Sequence, residues 1–193
     1  MHDKNFKKRL TKRLGRAGLL RAGRAQRAAD PRVRLGQLIT GQRASQAVVV
    51  AAGLGLADRP PDRPKTAAEL SDEVGAAEHS LTRLLRALAD MGVLRRAGDA
   101  GFALTPVGAL LRSDVGGSLR PTALMEGSPW MRAAWGELSH SVKTGEPAAD
   151  HALGQSVYDY LRERPEQEQV FNSAGLLADS GFRLGRAIPT QSP

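Results

Sequence analysis

The chain has 193 residues, of which 41% are hydrophobic and none is cysteine. This length predicts one domain, or one domain with appendages, and the apolar content is sufficient for a folded core. Without cysteine, a disulfide scaffold, a cysteine-ligated metal site and a cysteine nucleophile are all excluded. The longest apolar stretch, residues 47–56, is far too short for a membrane span, and the basic start lacks the apolar run of a signal peptide. We therefore expect a cytoplasmic protein.

The formal net charge of +8 is concentrated at one end of the chain. Residues 1–34 hold 12 of the 28 Lys and Arg residues and only two of the 20 acidic residues, so the remainder is slightly acidic. We predict that residues 1–34 form a basic, flexible leader. A basic tail of this kind can also support binding to nucleic acid.

Residues 35–57 predict the first helix, because their apolar residues recur at intervals of three and four. The helix is apolar on more than one face, so we expect part of its surface to be buried against a partner. The candidate interface residues are Leu38, Ile39, Val49 and Val50.

A helix, a turn, a second helix and a hairpin are predicted next. Thr66 and Glu69 form a capping-box pattern that starts a short helix ending at Val74, and Ser80 is predicted to cap the helix that follows. Residues 93–96 and 102–104 are short extended runs separated by a glycine-containing turn, which indicates a β-hairpin. This order is typical of a winged helix-turn-helix. The predicted fold class is therefore mainly α, with a winged-helix-like domain over residues 35–112.

Residues 113–174 are predicted to be a helical extension. We expect one helix over 118–125, a second from Pro129 through Val142, and a pair over 156–174 that is divided by Pro165. Trp130 and Trp135 are five positions apart, which places them roughly 140° apart around a helix. One of them is therefore expected in the core, and the other either lines a pocket or an interface or is structural as well.

The residue patterns indicate no catalytic site, no metal site and no cofactor site. Gly53 and Gly55 suggest a dinucleotide loop, but the third glycine position is Asp58 and a helix precedes the motif where a strand is required. The four histidines have no metal-ligand spacing. The alternative function is a DNA-binding regulator with a basic tail. It rests on four arginines in the predicted recognition helix and wing: Arg83, Arg86, Arg95 and Arg96.

Several segments, in order, resemble the N-terminal domain of SAM-dependent small-molecule O-methyltransferases of the bacterial antibiotic-tailoring type. They are LGQLITGQRASQAVVVAAGLGLAD, TAAELSDEVGA, SLTRLLRALADMGVL, FALTPVGALLRSD, SLRP and PWMRAAWGELSHSVKTGEPA. The resemblance covers about residues 35–174. It implies an intertwined homodimer, or a heterodimer with an intact paralogue, in which this domain helps to wall the pocket for a small-molecule acceptor. For that wall we predict Trp130 and Met131, and the resemblance does not imply binding to nucleic acid.

The resemblance also implies what the chain lacks. In the family a Rossmann-like domain that binds SAM follows this region, whereas here residues 175–193 resemble the family's extreme C-terminus. We therefore expect a missing middle with a join near Ala174, a disordered or loosely docked remnant over 175–193, and a chain with no cofactor of its own. The expected function is a dimerisation and substrate-wall module without its own catalysis.

Overall fold

The computed structural model describes residues 30–59 and 63–178. Its backbone contacts separate two compact units, residues 1–42 and residues 43–193. Most of the predicted leader and most of the predicted C-terminal remnant over residues 175–193 lie outside the described residues. The described residues form a mainly helical structure with one two-stranded antiparallel sheet, as expected. None of the described helices is both long and apolar enough to cross a bilayer.

The helices are α1 (Pro31–Gly53), α2 (Ala67–Val74), α3 (Glu78–Asp90), α4 (Pro106–Ala109), α5 (Arg120–Glu126), α6 (Pro129–Gly136), α7 (Leu138–Thr144), α8 (Ala148–Leu153), α9 (Val157–Arg162) and α10 (Pro165–Ala178). The strands are β1 (Leu94–Arg96) and β2 (Phe102–Leu104). Short 3-10 turns occupy Leu56–Asp58 and Gly98–Ala100.

Helix α1 begins earlier than predicted, within the stretch that we assigned to the leader. Asp30 precedes it, and its carboxylate accepts a hydrogen bond from the Arg32 amide at 2.9 Å. Pro31 occupies the first helical position, where the missing amide hydrogen costs nothing. This acidic cap followed by proline is a helix-start signal, and our prediction of residue 35 overlooked it.

The capping box of α2 is present as predicted. The Thr66 hydroxyl accepts from the Glu69 amide at 3.2 Å, and the Glu69 carboxylate accepts from the Thr66 amide at 2.7 Å. Gly75 ends the helix in the left-handed conformation. The start of α3 was predicted wrongly, because the helix begins at Glu78 and Ser80 lies inside it.

The hairpin pairs Leu94 with Leu104 and Arg96 with Phe102. Lys65 extends it, since its backbone exchanges hydrogen bonds of 2.9 and 2.8 Å with Phe102. Gly101 is required here, because its φ of 93° is positive and a β-carbon would overlap the Lys65 carbonyl.

The single helix predicted from Pro129 through Val142 is divided in two. Helix α6 ends at Gly136, and the Glu137 amide is shared among the carbonyls of the preceding turn before α7 begins. Glycine in the last turn lowers helix propensity at this point. Helix α8 was not predicted at all, whereas the division at Pro165 between α9 and α10 is confirmed.

Two hydrophobic clusters lie within residues 43–178. The first joins the end of α1, α2, α3 and the hairpin, with Leu85 and Leu88 fully buried. The second joins α5, α6, α9 and α10 around Trp130, Met131 and Leu161. The second cluster holds Trp130 and Met131, the two residues predicted to wall an acceptor pocket.

Candidate functional site

The four predicted interface residues do not share one environment. Ile39 is 73% exposed, and Leu38 is similarly exposed on α1. Val50 is also exposed. Val49, by contrast, is partly buried and packs against Gly127, where it fills the space that a β-carbon would need. Leu38, Ile39 and Val50 are therefore available to a partner, whereas Val49 already has an intramolecular contact.

Trp130 and Met131 are both buried side chains, each only 4% exposed. Ser128 caps the helix that carries them, since its hydroxyl donates to the Met125 carbonyl at 2.6 Å and accepts from the Met131 amide at 3.4 Å. The Trp130 ring meets Phe171 edge to face, with centroids 6.1 Å apart. The structure places Trp130 and Met131 in the second core, and the edge-to-face contact with Phe171 helps to fix the position of the indole.

Trp135, the second tryptophan, is 45% exposed, whereas Trp130 is buried. The Trp135 indole hydrogen-bonds to Glu126. Burial raises the pKa of the Glu126 carboxyl above its ordinary value, and this hydrogen bond acts in the opposite direction.

A cavity of about 210 Å³ lies against Trp130, between the α5–α6 turn and the first turns of α10. Its apolar lining is Leu124, Met125, Pro129, Trp130 and Val170. Its polar lining is Ser128, Glu166 and Gln167. The Gln167 Oε1 atom is buried and has no hydrogen-bond partner within the described residues. Local sequence patterns could not indicate this cavity, because its walls come from segments some 40 residues apart.

A second cavity, of about 260 Å³, lies on the other side of Leu124 and Val170. It is lined by three serines and by Arg120, Pro121 and Gln169. The Arg120 guanidinium is held by the Asp58 carboxylate at 2.6 Å, and the other oxygen of Asp58 accepts from the Ser113 amide at 2.7 Å. This arginine therefore serves first to tie the chain after α1 to the start of α5.

The rings of two histidines that are 11 positions apart in the sequence stack on each other. The rings of His140 and His151 lie 3.7 Å apart between centroids and are nearly parallel, at 8°. Glu146 lies 3.0 Å from His140, and Glu137 lies 3.8 Å from His151. Within the described ranges, no group of three or more potential ligands could hold a metal ion. The stack therefore joins the α7 and α8 segments, and the geometry gives it no catalytic partner.

The arginines of the DNA-binding alternative are exposed on α3 and the hairpin. Arg83 and Arg86 extend from α3, and Arg95 and Arg96 extend from β1. Arg96 is paired with the Asp90 carboxylate at 2.9 Å. The exposed surface of α3 thus mixes both signs of charge.

Comparison with known proteins decides the family. Residues 36–114 match the family model of the O-methyltransferase dimerisation domain. The chain carries the dimerisation domain of the O-methyltransferase family. The resemblance inferred from the sequence is thereby confirmed, and the matched residues comprise most of α1, helices α2 to α4 and the hairpin.

Relatives of this chain extend the match beyond the dimerisation domain. The phenazine O-methyltransferase PhzM of Lysobacter antibioticus is 43% identical over 138 residues, which are 72% of this chain and 40% of that protein. The crystal structure of LaPhzM superposes with a TM-score of 0.72 at 41% identity, and covers 76% of this chain and 44% of that one. The chain therefore spans less than half the length of these relatives.

A third comparison concerns ligands. The O-methyltransferase NcsB1 from neocarzinostatin biosynthesis was solved with S-adenosylmethionine and 2-hydroxy-5-methyl naphthoic acid. It is 36% identical, has a TM-score of 0.58, and matches 67% of this chain and 40% of its own. Solved relatives thus bind the methyl donor, S-adenosylmethionine (SAM).

The described part of the chain does not form a dinucleotide-binding fold. Its sheet has only two antiparallel strands, so it offers no strand–turn–helix crevice for a nucleoside. Gly53 ends α1, Gly55 precedes a 3-10 turn, and Asp58 is occupied by Arg120 and the Ser113 amide. The residues considered for a dinucleotide loop therefore serve to connect elements.

Proposed function

We propose that this chain supplies the dimerisation and acceptor-wall part of a SAM-dependent O-methyltransferase. The observation that carries the proposal is the match of residues 36–114 to the family's dimerisation domain. The relatives named above methylate aromatic or related small molecules according to their names, which supports an aromatic acceptor for the assembled enzyme.

The exposed apolar side chains of α1 support assembly with a second subunit. Leu35, Leu38 and Ile39 are each more than half exposed, and they lie within about 100° of one another around the helix. An apolar row of this kind is unfavourable in water and is stabilised when a partner covers it. The simplest partner is a second copy of this chain. The alternative partner is a full-length relative, because it carries the same domain.

We infer that the winged-helix arrangement of α2, α3 and the hairpin serves this assembly. Residues 35–193 contain more acidic than basic residues, which disfavours a phosphate-binding surface. On α3 itself, Arg83 and Arg86 share the surface with Glu78 and Asp90. The charge distribution therefore supports a protein partner over a DNA duplex.

We also infer that residues 30–59 and 63–178 do not bind SAM by themselves. The cofactor and the methyl-transfer chemistry then belong to a Rossmann-like domain outside these residues, in the same assembly. The part described here contributes the subunit contact and the apolar wall formed by Trp130, Met131 and their neighbours.

The test combines light scattering after size exclusion with calorimetric titration of SAM into the same purified sample. We expect a dimer at tens of micromolar protein and no heat of SAM binding. A monomer would overturn the assembly role, and micromolar SAM binding would overturn the assignment of the cofactor to another domain. Each half of the proposal thus has its own readout.

A further inference from the structure

We propose that residues 1–34 bind the surface of an anionic phospholipid bilayer and hold the rest of the chain there. This inference goes beyond the proposed function and does not depend on it. The segment precedes residue 36, where the match to the dimerisation domain begins. Neither that domain nor its role in assembly therefore accounts for the positive charge gathered in residues 1–34.

The described part of this segment includes the start of α1, which is exposed and basic. Arg32, Val33 and Arg34 are all exposed, and Val33 retains 53% of its accessible surface. After Asp30, no acidic residue occurs before Asp58. On the helix, Val33 lies between the two arginines, about 100° from each. Long arginine side chains in this position reach lipid phosphates while the apolar side chain between them enters the bilayer interface.

The lipid contact and the subunit contact use different sides of α1. Leu35, Leu38 and Ile39 form the row that is available to a second subunit, whereas Val33 lies at least about 120° from each of them around the helix. A dimer that forms through that row therefore leaves Val33 uncovered. It also brings two copies of residues 1–34 into one particle, which strengthens attachment to a surface by raising the effective concentration of the second copy.

Residues 1–29 lie outside the described residues, and their sequence repeats this combination of apolar and basic side chains. Large apolar residues recur at every fourth position: Phe6, Leu10 and Leu14. A second four-residue series is basic: Lys4, Lys8, Lys12 and Arg16. Neighbouring members of the two series are two positions apart, which corresponds to about 160° on a helix. This pattern is typical of segments that lie along a bilayer surface with a basic face towards the headgroups.

Charge favours an anionic surface, and the apolar residues favour lipid over nucleic acid. Residues 1–34 hold 12 Lys and Arg residues against two acidic residues, whereas residues 35–193 contain more acidic than basic residues. The attraction to an anionic surface is therefore concentrated in residues 1–34. The phosphates of a nucleic acid would pair with the cations but would leave Phe6, Leu10 and Leu14 in water, whereas an anionic bilayer accommodates both kinds of side chain.

The experiment measures co-sedimentation of the full chain with vesicles of phosphatidylcholine, with and without phosphatidylglycerol. We expect binding only to the vesicles that contain phosphatidylglycerol, and we expect it to weaken as salt is added, because the charges involved are exposed. The triple variant Phe6→Ser, Leu10→Ser, Leu14→Ser keeps every charge. It should nevertheless lose more than about tenfold in affinity for these vesicles, because it no longer buries large apolar side chains.

A pair of single variants tests the described start of α1. Val33→Ser should lose about threefold in affinity for the phosphatidylglycerol vesicles, because one apolar side chain no longer enters the interface. The matched control is Val142→Ser on α7, which changes an equally typed and exposed side chain outside the segment and should retain wild-type affinity. Neither valine is buried, and circular dichroism checks that both variants are folded. Equal affinities of the two variants would overturn the role assigned to Val33.

The outcomes separate lipid from nucleic acid. No binding to the phosphatidylglycerol vesicles overturns the proposal, and so does equal binding by the wild type and the triple variant, since the apolar residues then make no contact with lipid. A chain that binds a DNA duplex but not the vesicles assigns residues 1–34 to nucleic acid instead. Light scattering measures the dimer separately, so failure of the lipid proposal leaves the proposed assembly intact.

Discussion

Gly127 lies at the turn between α5 and α6, where the Val49 side chain of α1 comes closest to the backbone. A β-carbon at this position would overlap Val49 Cγ1, although the backbone conformation itself is open to any residue. The glycine is therefore needed for close approach and not for its φ angle. This contact also explains why Val49 differs from its neighbour Val50, which is exposed.

We expect Gly127→Ala to destabilise the fold by about 1–3 kcal/mol, because the added methyl group overpacks a stiff β-branched side chain. Gly136→Ala is the matched control, since nothing lies within 4 Å of its β-carbon position. That change should be neutral, or stabilising by up to about 1 kcal/mol, because alanine favours helix. Urea unfolding of both variants measures the difference, and equal stabilities would contradict the close approach.

At the scale of elements, the start of α2 depends on a charged capping box. The Arg63 guanidinium and the Thr66 amide and hydroxyl hold the pKa of Glu69 at about 2, well below its ordinary 4.5. The folded state therefore favours the ionised carboxylate. Its stabilising contribution is complete above about pH 4.5 and is lost as the pH falls towards 2.

We expect Glu69→Gln to be less stable than the wild type at neutral pH, with the difference disappearing as the pH approaches 2. The glutamine still accepts from the Thr66 amide but loses the ion pair to Arg63. Asp72→Asn removes an exposed carboxylate from the same helix, outside the capping box, and should show no comparable trend. Thermal melts followed by circular dichroism from pH 7 to 2 test this, and a constant difference would contradict the lowered pKa.

At the scale of the whole molecule, the question is which exposed apolar surface meets a partner. The described residues include exposed apolar side chains at the start of α1 and on α7, where Val142 is 78% exposed. The family match favours α1, because its residues from 36 onward lie inside the dimerisation domain and α7 lies outside it.

We expect Ile39→Asp to convert the dimer to a monomer without unfolding it, because the introduced charge is solvated in the monomer and desolvated at the interface. Val142→Asp places the same charge on the other exposed surface and should leave the dimer intact. Light scattering gives the mass and circular dichroism reports folding. Dissociation of the Val142 variant alone would assign the contact to α7.

The sequence by itself determined the helices and hairpin over residues 66–104, including the capping box at Thr66 and Glu69. These features depend on local periodicity, capping and turn chemistry, which adjacent residues encode. The predictions failed where local signals were weak, as at Gly136 and Ser80, and helix α8 was missed. The family was inferred from the resemblance of several ordered segments.

Only the tertiary structure showed that Val49 packs against Gly127, that His140 stacks on His151, and that Gln167 lies in a cavity walled by Trp130. Each of these pairs is separated by 11 to 78 positions, and single-sequence patterns report nothing about contacts at such distances. Packing decides them, because the space available at a side chain depends on which other segments reach it.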